Sequence, residues 1–314
     1  MKNALKKLGA ICLAAALFAG LVTSCAKAPE SATPIPAQIT DQLGRAVTVK
    51  ASPQRIVSLA PSNTEILFAL GLSDRIVAVT DYCNYPPEAK TKPSIGGFST
   101  PNIEEVIAKN PDLILAADIH KDKVIPPLEA KGLTVIALNP KTIDEVITSI
   151  ELVGKVTGKE KEAADLAANM QKRIKVVTEK TGKLSPEQQP STCFVVWHDP
   201  LMIANFGTLQ DELIKKAGGS NTVGLLSSKS GYAEISLETF LAANPAVMIA
   251  GVGMGTGEDL PLQFLTSETR LADTDARRNN RIYSIDQDLV GRAGPRIVEA
   301  LEQFARFIHP ELFK

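Results

Sequence analysis

Aromatic residues are scarce in this chain: Phe, Trp and Tyr make up 5% of 314 residues, with a single Trp. An aromatic side chain in a loop is therefore informative here. Histidine is rarer still, and His120, His198 and His309 are too scattered to suggest a metal centre. The chain has four cysteines and no CxxC pair, so neither a zinc ribbon nor a redox motif is present. It contains no GxSxG elbow, no P-loop and no HExxH. A glycine-rich run from Gly251 to Gly257 follows an apolar stretch, but neither of its registers gives GxGxxG. Net charge is −1 with no basic tract, which gives no support for a nucleic-acid partner. The chain reads as a protein that is not an enzyme and carries neither cofactor nor metal.

The N-terminus is a targeting segment. Lys2, Lys6 and Lys7 precede an apolar run over residues 8–22, too short to span a bilayer comfortably. It ends in Val22-Thr23-Ser24-Cys25, which resembles a bacterial lipobox. Residues 1–24 are expected to be a signal peptide, and Cys25 the lipidated mature N-terminus. Residues 25–38, rich in Ala, Pro and Ser, are expected to form a flexible tether. The protein is then exported and held on a membrane surface by its lipid. Cys12 leaves with the signal peptide, and Cys83 and Cys193 are expected to remain as free thiols.

What the chain does have is a repeated unit. Residues 102–115 and 236–249 share Glu104 with Glu238, Ala108 with Ala242, and Asn110-Pro111 with Asn244-Pro245. Each copy reads as a polar N-cap, a short helix, an Asn-Pro stop and a buried strand. Two distant copies imply two similar lobes.

The order of elements agrees. A hairpin is predicted over residues 41–49, and strands over 55–59, 76–80, 113–116 and 133–138, with helices between. Residues 61–65 read as a capped helix start, and Thr142 with Glu145 as a capping box. Residues 159–181 contain no Gly or Pro. Ala163, Leu166, Met170, Ile174 and Val177 recur there at helical steps, predicting a helix of about 35 Å. Strands over 192–197, 201–204 and 281–285 and a final helix over 295–307 complete the chain. The fold class is α/β: two Rossmann-like lobes with mainly parallel sheets, residues 39–157 and 183–314, joined by a single long α-helix over 158–182.

The lipobox, the run Arg55 to Glu65 (RIVSLAPSNTE), the duplicated unit and the bridging helix together resemble the helical-backbone substrate-binding proteins of ABC importers. That family takes up cobalamin, haem and iron–siderophores, and the resemblance covers residue 39 to the C-terminus. Residues 81–87 and 288–296 are most similar to its cobalamin-binding members. The resemblance implies a monomer that carries a corrinoid (alternatively haem or an iron–siderophore) in a shallow cleft between the lobes. Its partner would be a dimeric ABC permease with ATPase subunits.

By motif, Tyr82, Phe98 and Tyr232 fall at aromatic wall positions and Asp288 and Arg292 at polar ones, with Trp197 and His198 as neighbours. Flat rings suit a broad apolar disc, and a few polar groups suit its rim. Each residue has a plainer alternative. Tyr82 could pack the Pro86-Pro87 turn, Trp197 could belong to the core, and Asp288 with Arg292 could be a local ion pair. His198 could ligate a metal axially or bond the rim. For Glu104 and Glu238, a carboxylate in the first turn of a helix stabilises it by about 0.3–1 kcal/mol. The resemblance adds a role as the paired acids that dock onto arginines of the permease.

Overall fold

The alternating run around Gly44 forms an antiparallel hairpin, β1 (Ala37–Thr40) with β2 (Ala46–Val49), whose first strand begins inside the stretch read as tether. The computed structural model describes residues 37–226, 231–253 and 259–313. The signal segment, Cys25 and residues 254–258 of the glycine-rich run lie outside them.

Lobe one is built on β3 (Ile56–Ser58), β4 (Ile76–Val79), β5 (Leu113–Ala117) and β6 (Val135–Leu138). They lie in the order β4-β3-β5-β6, all parallel. Each crossover carries helix: α1 (Pro61–Ala69), α2 (Ile103–Ala108) and α3 (Ile125–Ala130), with α4 (Ile143–Thr157) following β6. Covered on both faces, the strands read as unbroken apolar runs rather than alternating ones. Side chains nevertheless alternate between two cores. Ile56, Leu113, Leu115 and Ile136 enter one, and Val57, Ile114, Ala116 and Val135 the other.

Lobe two contains β7 (Thr192–His198), β8 (Leu201–Ala204), β9 (Tyr232–Glu234), β10 (Val247–Val252) and β11 (Ile282–Asp286). Their order is β11-β10-β7-β8-β9; the first three are parallel, and β8 and β9 add antiparallel. β9 was not predicted, because a three-residue edge strand has no periodicity to detect. The sheet is flanked by α6 (Leu209–Lys216), α7 (Leu237–Ala243), α8 (Leu260–Ser267), α9 (Asp275–Arg278), α10 (Gln287–Gly291) and α11 (Ile297–Ile308).

Between the lobes runs α5 (Glu160–Thr181), 22 residues and roughly 33 Å long. Gly158 ends α4 in the left-handed conformation. Gly154 then lets α5 come close: a Cβ there would stand 2.4 Å from that of Ala163. Met170, Ile174 and Val177 of α5 belong to one apolar cluster together with Ile66 of lobe one and Ile249 and Phe304 of lobe two. Each such buried side chain contributes about 1.5–3 kcal/mol. An Arg173–Glu302 pair with two bonds, 2.8 and 2.9 Å, fastens α5 to α11. The lobes are joined by a continuous core as well as by the chain.

The repeat is matched in backbone detail. Asn102 caps α2 by accepting from Glu104 N–H and Glu105 N–H, and Ser236 caps α7 by accepting from Thr239 N–H. Asn110 and Asn244 both take the left-handed conformation, φ 47° and 41°, which asparagine tolerates better than most residues. The Asn-Pro stop is thus a left-handed turn followed by a residue that cannot continue the helix.

Residues 61–65 differ from expectation. Helix α1 already starts at Pro61 with no side-chain cap, and Asn63, Thr64 and Glu65 are buried inside it. Their polar atoms serve tertiary contacts: Asn63 Nδ2 donates to the Ala116 carbonyl at 2.9 Å and Thr64 Oγ1 to Ser58 Oγ at 2.8 Å.

Candidate ligand cleft between the lobes

Strand C-termini and the loops after them converge where the two sheets face each other, the usual ligand position in open α/β sheets. A cavity of about 510 Å3 lies there. Lobe one lines it with Ser62 at the start of α1, Tyr82 after β4, Phe98 and Thr100 from the following loop, and Ala117 at the end of β5. Lobe two contributes Gln287, Asp288, Gly291 and Arg292, on and just after α10. Four of the seven candidate ligand residues, Tyr82, Phe98, Asp288 and Arg292, therefore meet in one cavity.

Tyr82 is 62% exposed, a large apolar surface for water to cover. Its loop is held by the Asp81 N–H donating to the Gly96 carbonyl at 2.9 Å and the Cys83 N–H to the Thr80 carbonyl at 3.1 Å. The Phe98 ring stands edge-on to His120, with centroids 5.5 Å apart.

Arg292 has a fuller set of partners than the sequence suggested. It pairs with Asp288 at 2.6 Å, as expected of a local pair. It also crosses to lobe one, donating to Glu65 Oε1 at 3.1 Å, Asn84 Oδ1 at 2.7 Å and the Tyr82 carbonyl at 3.1 Å. Glu65 is in turn gripped by Arg296, Nη2 to Oε1 at 2.6 Å and Nε to Oε2 at 2.9 Å. Arg296 also lies over the Tyr85 ring, 3.8 Å from its centroid. This ion cluster clamps lobe two to the Tyr82 loop, with Asp288 and Arg292 in the lining of the cavity and Glu65 and Arg296 in that of a separate crevice. Glu65, Asn84 and Arg296 were missed as site residues because nothing local in sequence pairs positions more than two hundred residues apart.

Gln287 was also missed. Its Oε1 is buried without a hydrogen-bond partner while the residue lines the cavity. It fits over β10 only because position 251 is glycine: a Cβ there would fall 1.9 Å from Oε1.

The other three candidates lie apart. His198 lines a separate cavity of about 520 Å3 with Asp199, Phe264 and Arg270, and its Nδ1 is buried without a partner. Trp197 Nε1 donates to the Asp199 carbonyl at 2.8 Å, and its ring lies 5.1 Å from that of His198. Tyr232, half exposed, bonds Gln210 Oε1 at 3.3 Å, and Gln210 Nε2 donates to the Val290 carbonyl in α10. A third crevice, about 340 Å3, is walled by Phe68, Tyr85, Leu166, Met170 and Pro295 of the junction and contains none of the candidates. Among the described residues, no cluster of His, Cys, Asp and Glu could hold a metal ion.

Glu104 and Glu238 are both exposed, each at the second position of its helix. The Glu238 carboxyl is held below its ordinary range by its own backbone N–H, then by Ser236 and by the charge of Arg270.

The sequence profile of the periplasmic binding proteins matches residues 56–289, from β3 into α10, and takes in all of the cleft lining except Gly291 and Arg292. The chain belongs to that family. Within the family it is 32% identical, over 97% of both chains, to an uncharacterized ABC transporter substrate-binding lipoprotein of Bacillus subtilis. The crystal structure of the periplasmic vitamin B12 binding protein of Vibrio cholerae is 25% identical, with TM-score 0.71 over 84% of this chain and 99% of that one. A periplasmic heme-binding protein from Roseiflexus, solved in apo form, is 26% identical, with TM-score 0.72 over 82% and 99%. Both solved structures share the two-lobed architecture of this chain. Among the described residues, no helix is long and apolar enough to cross a membrane.

Proposed function

We propose that this periplasmic binding protein is the lipid-anchored solute receptor of an ABC importer and carries a corrinoid between its lobes. Cys25 would hold the anchor, residues 25–38 the tether, and Glu104 and Glu238 the contact with a dimeric permease. Tyr82 and Phe98 would stack on the disc.

One observation carries the choice of ligand class. Among the described residues, Arg292 is the one cation lining the cavity, and it is already engaged by two carboxylates, the Asn84 amide and the Tyr82 carbonyl. Haem propionates and anionic siderophores need free Arg or Lys partners. The remaining polar lining, Ser62, Ser99, Thr100 and Gln287 with its unpaired oxygen, is neutral. Neutral donors and acceptors suit a disc edged with amides. His198, the histidine considered as an axial ligand, lines the other cavity. Tyr82 keeps the haem reading available, since a tyrosine oxygen can ligate haem iron.

The test is to titrate the purified protein with cyanocobalamin and, separately, with haemin, following absorbance and heat. Saturable binding of cyanocobalamin that weakens in Tyr82→Ala supports the proposal. Haemin binding without cyanocobalamin binding, with a Soret shift lost in Tyr82→Phe, would overturn it.

A further inference from the structure

His120 plays no part in the reading above, yet it is fully buried, 0% exposed, beside the ligand wall. It sits in the turn after β5. Both of its ring nitrogens contact the backbone of residues that line the cavity, and His120 itself does not line it. The Ala117 N–H donates to Nδ1 at 2.9 Å, so Nδ1 holds a lone pair and no proton. The proton of the neutral ring is then on Nε2, which donates to the Phe98 carbonyl at 2.7 Å. The imidazole also meets the Phe98 ring at 79°, the edge-to-face arrangement aromatic pairs favour.

Phe98 needs such support. It follows Gly96 and Gly97, and Gly96 has φ 91°, a conformation glycine adopts without strain. The loop tip is joined at its base by the Gly96–Pro101 bridge, and at Phe98 itself by His120.

We infer that His120 is the positioning residue of the ligand wall: it fixes the Phe98 ring in the plane on which the bound disc stacks, without touching the ligand. This rests on reading the Tyr82–Phe98 cavity as the ligand site. The two bonds have separate tasks. Nδ1 ties the ring to the end of β5, and Nε2–H carries that position to the loop.

Two substitutions separate the tasks. In His120→Gln the side-chain amide reaches as far as Nε2 and can still donate to Phe98. In His120→Asn the shorter side chain can still accept from Ala117 but cannot reach Phe98. Titration with cyanocobalamin should show His120→Ala weakening binding roughly tenfold, the scale of one buried hydrogen bond. His120→Gln should recover most of that loss and His120→Asn little. In a Phe98→Ala background, His120→Ala should have no further effect. Equal affinities for the Gln and Asn variants, or an undiminished His120→Ala effect without Phe98, would overturn the role. If His120→Ala does not fold, the Gln–Asn comparison decides.

A ligand-free arm keeps this separate from the choice of ligand. With 4-fluorophenylalanine at position 98, the unliganded protein should give one sharp 19F resonance in wild type and His120→Gln, broadened or split in His120→Asn. Should wild type not bind cyanocobalamin, the corrinoid reading falls, and this spectrum alone decides the positioning role. Identical sharp lines in all variants would then reject it.

Discussion

Arg292 of lobe two donates to Glu65 of lobe one at 3.1 Å, and the Glu65 side chain is only 2% exposed. Two arginines and one carboxylate thus meet between the lobes, with Asp288 balancing the second positive charge. Opening the lobes by this route would leave Arg292, Glu65 or both short of partners in a partly dry site.

Removing one member of such a cluster is more damaging than the cluster's net contribution suggests, because the others stay buried and unpaired. Glu65→Gln should therefore lower unfolding stability by about 3 kcal/mol or more. A guanidinium titration measures it directly. Asp165→Ala, which removes the exposed partner of Lys161, should leave the same curve unmoved. Equal curves for Glu65→Gln and wild type would mean that the junction is held by the apolar core around α5 alone.

Burial holds the His120 pKa below its ordinary value, opposed by the hydrogen bond to the Phe98 carbonyl, and no charged neighbour contributes. The unfolded chain binds a proton near pH 6.5, the folded one only at lower pH. Between those values the unfolded state carries more protons, so stability falls as pH falls, by at most about 1.4 kcal/mol per pH unit for this group. Above roughly pH 7.5 the contribution is complete and flat. Denaturant titrations between about pH 8 and pH 5 should show that descent in wild type and a smaller one in His120→Gln. A descent of equal size in both would assign it to other groups.

Cys83 and Cys193 are both free and buried, and burial drives the Cys193 thiol far above its ordinary range. A thiol that does not ionise does not react. Under native conditions at neutral pH, Cys193 should resist iodoacetamide until the protein unfolds, as mass spectrometry of the labelled peptides would show. Modification within minutes in the native state would contradict its packing.

Much of this architecture could be read from the chain. The repeat announced itself through Asn110-Pro111 and Asn244-Pro245, because a left-handed Asn before Pro is a local requirement that leaves a local mark. The connecting helix was equally readable, since α5 needs only a long run free of Gly and Pro with apolar steps. The cleft was legible in part. Tyr82 and Phe98 stand out as rare aromatics in loops, and they share a cavity with Asp288 and Arg292. Glu65 was misread because Ser, Asn, Thr and Glu at a helix start usually cap it, whereas here they turn inward to partners on other elements. His198 was grouped with the cleft because strand ends converge there; which of several neighbouring hollows a strand end faces depends on loops the pattern does not describe.

The two candidate docking acids occupy equivalent positions but not equivalent surroundings. Glu104 is followed by Glu105, also exposed, whereas Glu238 is followed by Thr239 and feels the positive charge of Arg270. Arg270 is itself held by Glu268 through two bonds, 2.9 and 3.0 Å, so it cannot swing away freely. On the proposed docking, a permease arginine approaching lobe two would compete with that charge, and one approaching lobe one would meet a doubled negative patch. Association with permease in nanodiscs should therefore suffer more from Glu104→Ala than from Glu238→Ala, with the double variant weaker than either. Arg270→Ala should strengthen it slightly. All of these differences should shrink as salt rises, because exposed charges about 10 Å apart are screened at 0.1 M. Ligand titrations should be unchanged throughout, since neither glutamate lines the cleft. Equal losses from the two single variants would mean that the partner reads only the two carboxylates and ignores what surrounds them.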